Sequence, residues 1–119
     1  MCNEDVIDPT VLLDAISGDT ALATELLELF FCETNKDFEG LCAAVAAASV
    51  ADAVKAAHKM AGASMACGLA GVAGELRELE QLCKVAMPSD MNARVSRAGK
   101  ALSDARHFFE NYYAKEFSA

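Results

Sequence analysis

Two histidines, five cysteines and eighteen carboxylates are the side chains of this sequence able to move protons, attack an electrophile or hold a metal. Their surroundings sort them. His58 lies in the run Ala57-His58-Lys59-Met60-Ala61-Gly62-Ala63-Ser64-Met65-Ala66-Cys67-Gly68-Leu69, with one glycine four positions after it and a second ten positions after it. On a helix, the residue four positions on shares a face with the first. A glycine inside a helix costs about 1 kcal/mol relative to alanine, and access is the return: with no side chain at Gly62, another macromolecule can come close to the imidazole. Ala51 and Ala61 are also small and are expected to flank the site. The histidine should therefore stand on a low surface and not in a pocket, which suits a group that serves a protein partner and not a small-molecule enzyme. Imidazole is nucleophilic when neutral, as it largely is near neutral pH. His107 has no glycine near it and precedes Phe108 and Phe109; it is expected to be an ordinary residue at the surface or edge of its helix.

Other chemistries find less support. His58 and Cys67 are nine positions apart, which puts them on opposite helix faces, so they cannot chelate together. There is no Glu-x-x-His pair of the kind that holds metals in helical bundles, and no metal site is expected. No glycine-rich phosphate loop is present, so the chain should have no ATP-dependent kinase activity of its own. The cysteines at 2, 32, 42, 67 and 83 are odd in number and lack C-x-x-C spacing. They are expected to be reduced thiols, mostly small buried apolar groups, and reduced thiols imply a cytoplasmic location.

The elements that must position His58 are helical. β-Branched residues never alternate over a useful length, while alanine, leucine and glutamate dominate. Asp8-Pro9 starts a short first helix, with Asp8 as N-cap and Pro9 at the first helical position, and Gly18 stops it. Asp19 or Thr20 caps a second helix running to about Ala48, with Leu22, Leu26, Leu29, Phe30, Cys32 or Glu33, Phe38, Leu41 and Val45 as its apolar spacing. Ser49 opens a third, with Asp52 completing a capping-box-like start, and Cys67-Gly68 ends it on a left-handed glycine cap. The fourth runs from about Leu69 to Val85, with Val72, Leu76, Leu79 and Leu82 on one face. Pro88 closes it, and Ser89-Asp90 caps a fifth that extends to about Glu116. There Val95, Leu102, Phe108 or Phe109 and Tyr112 or Tyr113 are available to bury. Short links between long amphipathic helices force neighbours to run antiparallel. The expected fold is all-α: an antiparallel up-down four-helix bundle with a short additional N-terminal helix, one domain over residues 1–119.

Composition sets the outer bounds. With 54% hydrophobic residues the chain can bury a sizeable core. No segment runs about 18 residues without a charge, so no membrane insertion is expected, and Met-Cys-Asn-Glu-Asp does not read as a secretory signal. A net charge of −8 with dispersed basic residues argues against nucleic acid, whose phosphates require clustered Lys and Arg. No surplus apolar helix face calls for a dimer, so a monomer is expected.

Taken in order, these pieces resemble the histidine-containing phosphotransfer (HPt) domain family of multistep phosphorelays. Ile7-Asp8-Pro9 with Leu12, Gly18-Asp19, Leu26-Leu27-Glu28-Leu29-Phe30, the approach from Asp52-Ala53 through Ala56-Ala57 to His58, the Gly62 and Gly68 spacing, and Leu79-Glu80 carry the likeness over nearly the whole chain. The resemblance implies that His58 accepts a phosphoryl group from the aspartyl phosphate of a receiver domain and passes it to another receiver. Partners would be response-regulator receiver domains and a hybrid sensor histidine kinase, with Mg²⁺ supplied by the receiver. Glu80, 22 positions after His58, would orient the imidazole. Counting outward to the turn after Cys67 and back along the next helix also brings Glu80 level with His58. One position departs from the family pattern: where a lysine usually follows the histidine by three, this chain has Ala61. Lys55, three positions earlier and close on the helix surface, and Lys59, about 100° away on its long stem, are the two lysines available to substitute. The absent lysine favours an alternative reading, a non-catalytic receiver-binding module of the same fold. His58, Gly62 and Glu80 together favour the carrier.

Overall fold

The computed structural model describes residues 7–113 of the chain. It contains α1 (Thr10–Ala15), α2 (Thr20–Ala46), α3 (Val50–Ala66), α4 (Ala70–Val85) and α5 (Met91–Tyr112). No strand occurs among the described residues; Ile7 and Leu69 form an isolated antiparallel bridge. Helices α2 to α5 make the antiparallel bundle and α1 is the short addition at its front. At 1.5 Å per residue α2 is about 40 Å long, which accounts for the 43 Å long axis of a body that is 27 and 23 Å across. Cys2 and the expected end of the last helix near Glu116 lie outside the described residues.

Two helix ends close with one motif. After α3, Leu69 donates its backbone N–H to Ser64 (2.9 Å) and Gly68 donates to Met65 (3.1 Å), with Gly68 at φ +80°. After α2, Ser49 donates to Ala44 (2.8 Å) and Ala48 to Val45 (3.1 Å), with Ala48 at φ 55°. Both are Schellman closures, in which the left-handed residue lets the following amides satisfy the last carbonyls. Gly68 has a second reason to be glycine. Asp8 donates its amide to the Gly68 carbonyl at 2.8 Å, and a Cβ at 68 would overlap the Asp8 carbonyl oxygen. The α3–α4 turn is thereby stapled to the segment that leads into α1.

The helix starts differ in detail from the sequence expectation. Asp8 accepts from the amide (2.9 Å) and hydroxyl (2.6 Å) of Thr10, so it caps α1 from one residue further out, with Pro9 at the N-cap. Asp19 caps α2 by accepting from the Leu22 amide at 3.0 Å. Ser49 and Asp52 do meet, but side chain to side chain at 3.0 Å, and neither bonds a backbone amide as a capping box would. Asp90 holds Arg94 at 2.9 Å and caps nothing with its side chain.

The buried stripe of α2 is Ala23, Thr24, Leu27, Phe30, Phe31, Thr34, Leu41 and Ala44, not the one expected. Leu22 and Leu29 are exposed. The N-terminal half of α2 carries leucine or phenylalanine on several faces, so its periodicity leaves the rotation open. The adjacent pair Phe30 and Phe31, in edge contact at 4.9 Å, turns inward and settles it, and Phe31 also meets Phe109 of α5 at 6.5 Å. The same rotation places Cys32 and Cys42 outside, which corrects the expectation of mostly buried thiols. Cys67 and Cys83 are buried, and burial pushes the Cys67 thiol up to about 11, so it stays protonated and inert. In α5, Phe109 and Tyr113 are inside and Tyr112 is half exposed.

Gly68→Ala should destabilise the protein by about 2 kcal/mol or more, from a left-handed alanine plus a backbone overlap. Chemical denaturation at constant slope measures it. A loss below about 0.5 kcal/mol would mean that the staple to Asp8 is not made.

Candidate functional site

The site is built on the seam between α3 and α4. The α3 side of that core is made of small residues at four-residue intervals: Ala53, Ala57 and Ala61, with Met60 and Ser64 beside them, all buried. Val72, Ala73, Leu76 and Leu79 are buried on α4. Small side chains let helix axes approach closely, and the close approach brings a short carboxylate arm from one helix to an imidazole on the other. His58 Nδ1 lies 2.9 Å from Glu80 Oε2. The two side chains are unequally exposed: 73% for His58 and 7% for Glu80.

Glu80 is therefore a carboxylate set into the bundle surface. Burial pushes its pKa up, but hydrogen bonds from His58 and Lys84, together with their charge, more than offset this and hold it below the ordinary carboxylate value. An ionised carboxylate only accepts, so the proton in the His58–Glu80 bond sits on Nδ1. In the neutral ring that fixes the tautomer and leaves the lone pair on Nε2, the outer nitrogen of a largely exposed side chain. The arrangement can present a neutral, oriented imidazole nucleophile and balance the positive charge that the ring gains on attack.

The remaining expected site residues are distributed as follows. Gly62 is exposed one turn beyond His58, and a Cβ built there meets nothing within 4 Å, so the interior of the fold makes no demand for glycine at this position. Lys59 does not reach round to His58; it is tied across to Asp37 of α2 at 3.1 Å. Lys55 is exposed on α3, and no ion pair is found for it among the described residues. Both line a groove of about 530 Å³ between α2 and α3, with Lys36, Asp37, Gly40 and Ala56. Ala61 does not flank the site on its surface as expected: it is 2% exposed and belongs to the small-residue seam, because the third residue after His58 rotates toward α4. Ala51 is exposed at the start of α3. His107 is exposed and lies 3.4 Å from Glu110.

One residue was not foreseen. Lys84 places its ammonium 3.3 Å from Glu80 Oε2, the same oxygen that His58 contacts. The sequence did carry a signal for it, since a lysine four residues after a glutamate is a standard helical ion pair.

The Hpt domain family model matches residues 25–109, the span from early α2 to the end of the α5 core. The chain belongs to the Hpt domain family, the phosphotransfer modules of phosphorelays, which interact with response-regulator receiver domains. No curated protein and no solved structure gave a match. No helix among the described residues is long and apolar enough to cross a membrane.

The lowered pKa of Glu80 has a consequence for stability. Unfolded, Glu80 titrates at the ordinary carboxylate value; folded, it titrates lower, so its contribution is complete above the ordinary value and is lost as pH falls through the folded one. Glu80→Gln should therefore flatten the acid limb of stability against pH, below about pH 4.5. Urea denaturation of both proteins from pH 7 to pH 3 checks it; parallel curves would mean that folding does not lower the Glu80 pKa.

Proposed function

We propose that this protein is a phosphorelay carrier in which His58 is the phosphoacceptor and Glu80 orients its ring. One observation carries the reading: an exposed imidazole whose inner nitrogen is bonded to a buried, ionised carboxylate and whose outer nitrogen is left open. In the proposed step, Nε2 of His58 attacks the phosphorus of a receiver's aspartyl phosphate. The N–P bond forms as the acyl O–P bond breaks, and the electron pair leaves with the aspartate carboxylate. The Nδ1 proton stays on the ring, where Glu80 balances the imidazolium charge. Passing the group to a second receiver reverses these bond changes. The Mg²⁺ that receiver chemistry requires is assigned to the partner.

The surface beside His58 supports a protein partner. Gly62 and Met65 follow it along one face of α3 at helical spacing, and Met65 is exposed. A flat strip with one apolar side chain and one missing side chain suits a small transient interface. Hybrid sensor kinases and free receivers are both partners of this kind.

Phosphoryl transfer from a panel of phosphorylated receiver domains tests the reading. Wild type and His107→Gln should take up acid-labile, alkali-stable label, and His58→Gln should take up none. Receivers that bind but never label the wild type would favour a non-catalytic receiver-binding module, the reading that Ala61 supports. A second substitution separates access from folding. Gly62→Leu should raise stability by about 0.5–1 kcal/mol, as helix propensity requires at an open site, yet slow transfer by about tenfold or more, since one misplaced side chain in an interface readily costs ~1.4 kcal/mol. Unchanged transfer rates would show that the partner does not approach over Gly62.

A further inference from the structure

The geometry points to Lys84 as the cation that stabilises the phosphorylated form of His58, an inference that rests on the carrier reading. Moving a phosphoryl group onto His58 places about two negative charges on a protein whose net charge is already −8. It places them beside Glu80, which is itself ionised. A local cation is needed, and it must lie on the correct side of His58.

Successive residues on a helix are turned by about 100°, so Lys59, Lys55 and Gly62 lie to one side of His58 and Ala61 to the other. The structure identifies the two sides. Lys59 pairs with Asp37 of α2, and the groove that Lys55 and Lys59 line contains α2 and α3 residues and none from α4. Glu80, the partner of His58, is on the α4 side. Ala61 faces that side too, but has no charge to offer. Lys84 supplies one from α4. Its ammonium lies on the oxygen that holds Nδ1, so the two nitrogens can be no farther apart than their two contacts laid end to end. The lysine side chain is 49% exposed, which leaves its stem free to swing the ammonium from the carboxylate to a phosphoryl oxygen while Glu80 keeps the Nδ1 proton. Arg77 is the other exposed cation one turn away on α4, but no contact ties it to Glu80 or His58. Lys55 and Lys59 remain on the α2 side.

Lys84 thus exchanges partners. With His58 unmodified it helps to keep Glu80 ionised; with His58 phosphorylated it meets the new charge. The test is the lifetime of the phosphohistidine after labelling from a phosphorylated receiver and removal of that receiver, followed in wild type, Lys84→Gln, Lys84→Arg, Arg77→Gln, Lys55→Gln and Lys59→Gln. Lys84→Gln should shorten the lifetime about fivefold, the size of one charge-assisted contact at a half-exposed site, and Lys84→Arg should restore it. Arg77→Gln, Lys55→Gln and Lys59→Gln should stay close to wild type. Added salt should shorten the wild-type lifetime and leave that of Lys84→Gln nearly unchanged. The ¹⁵N shifts of unmodified His58 should report the same Nδ1–H tautomer in Lys84→Gln as in wild type, which separates a direct role from one exerted through Glu80. A wild-type lifetime in Lys84→Gln, or a loss that follows Arg77 or Lys55 instead, overturns the assignment while leaving the carrier reading intact. Absence of label on wild-type His58 overturns the carrier reading, and this assignment with it.

Discussion

A carboxylate sunk into the bundle between an imidazole and an ammonium is the interaction on which the site depends. Glu80 is buried on α4, yet both His58 and Lys84 reach its Oε2. Burying a charge is unfavourable unless it is paired and hydrogen-bonded, and here both partners are exposed side chains that approach from the solvent side. Both partners favour the ionised form of Glu80, and the ionised carboxylate in turn places a ring proton of His58 on Nδ1. Orientation of the nucleophile and stability of the carboxylate are thus one arrangement.

That arrangement requires α3 and α4 to lie close together, and the alanine-rich composition of α3 makes it possible. Ala53, Ala57 and Ala61 recur every four residues along the buried face, so the seam carries little bulk. Larger side chains there would drive the axes apart and carry Glu80 out of reach of His58. The cost of a small-residue seam is a small contribution to burial per residue, and the larger groups Leu76, Leu79, Met60, Leu27 and Phe109 make up the core around it. The turn between the two helices is fixed independently by the left-handed Gly68 and its contact with Asp8. The register that sets Glu80 level with His58 is therefore held at the turn as well as along the seam.

Gly62 and Gly68, six residues apart, illustrate two uses of one residue type. At Gly68 both the positive φ and the neighbouring backbone exclude a side chain. At Gly62 the helix is regular and the space outside is empty, so nothing inside the molecule explains the missing side chain.

Much of this was legible in the sequence. Gly18, Gly68 and Pro88 mark chain breaks through backbone conformations that other residues adopt poorly, so the number, order and antiparallel connection of the helices follow from local chemistry. The register of His58 against Glu80 could be counted across a short turn, and the structure holds the pair at 2.9 Å. What could not be read was rotation about the helix axes. Leucine and phenylalanine cover several faces of α2, and only packing of Phe30 and Phe31 against the other helices chose the buried stripe and left Leu22, Leu29, Cys32 and Cys42 outside. The same holds for Ala61, which faces the seam, for Lys59, which is drawn to Asp37, and for Lys84, which joins the site from a neighbouring helix. Local sequence determines where helices begin and end because that depends on each residue's own backbone and nearest neighbours. Which way a helix faces depends on side chains far away in sequence, and only the assembled bundle decides it.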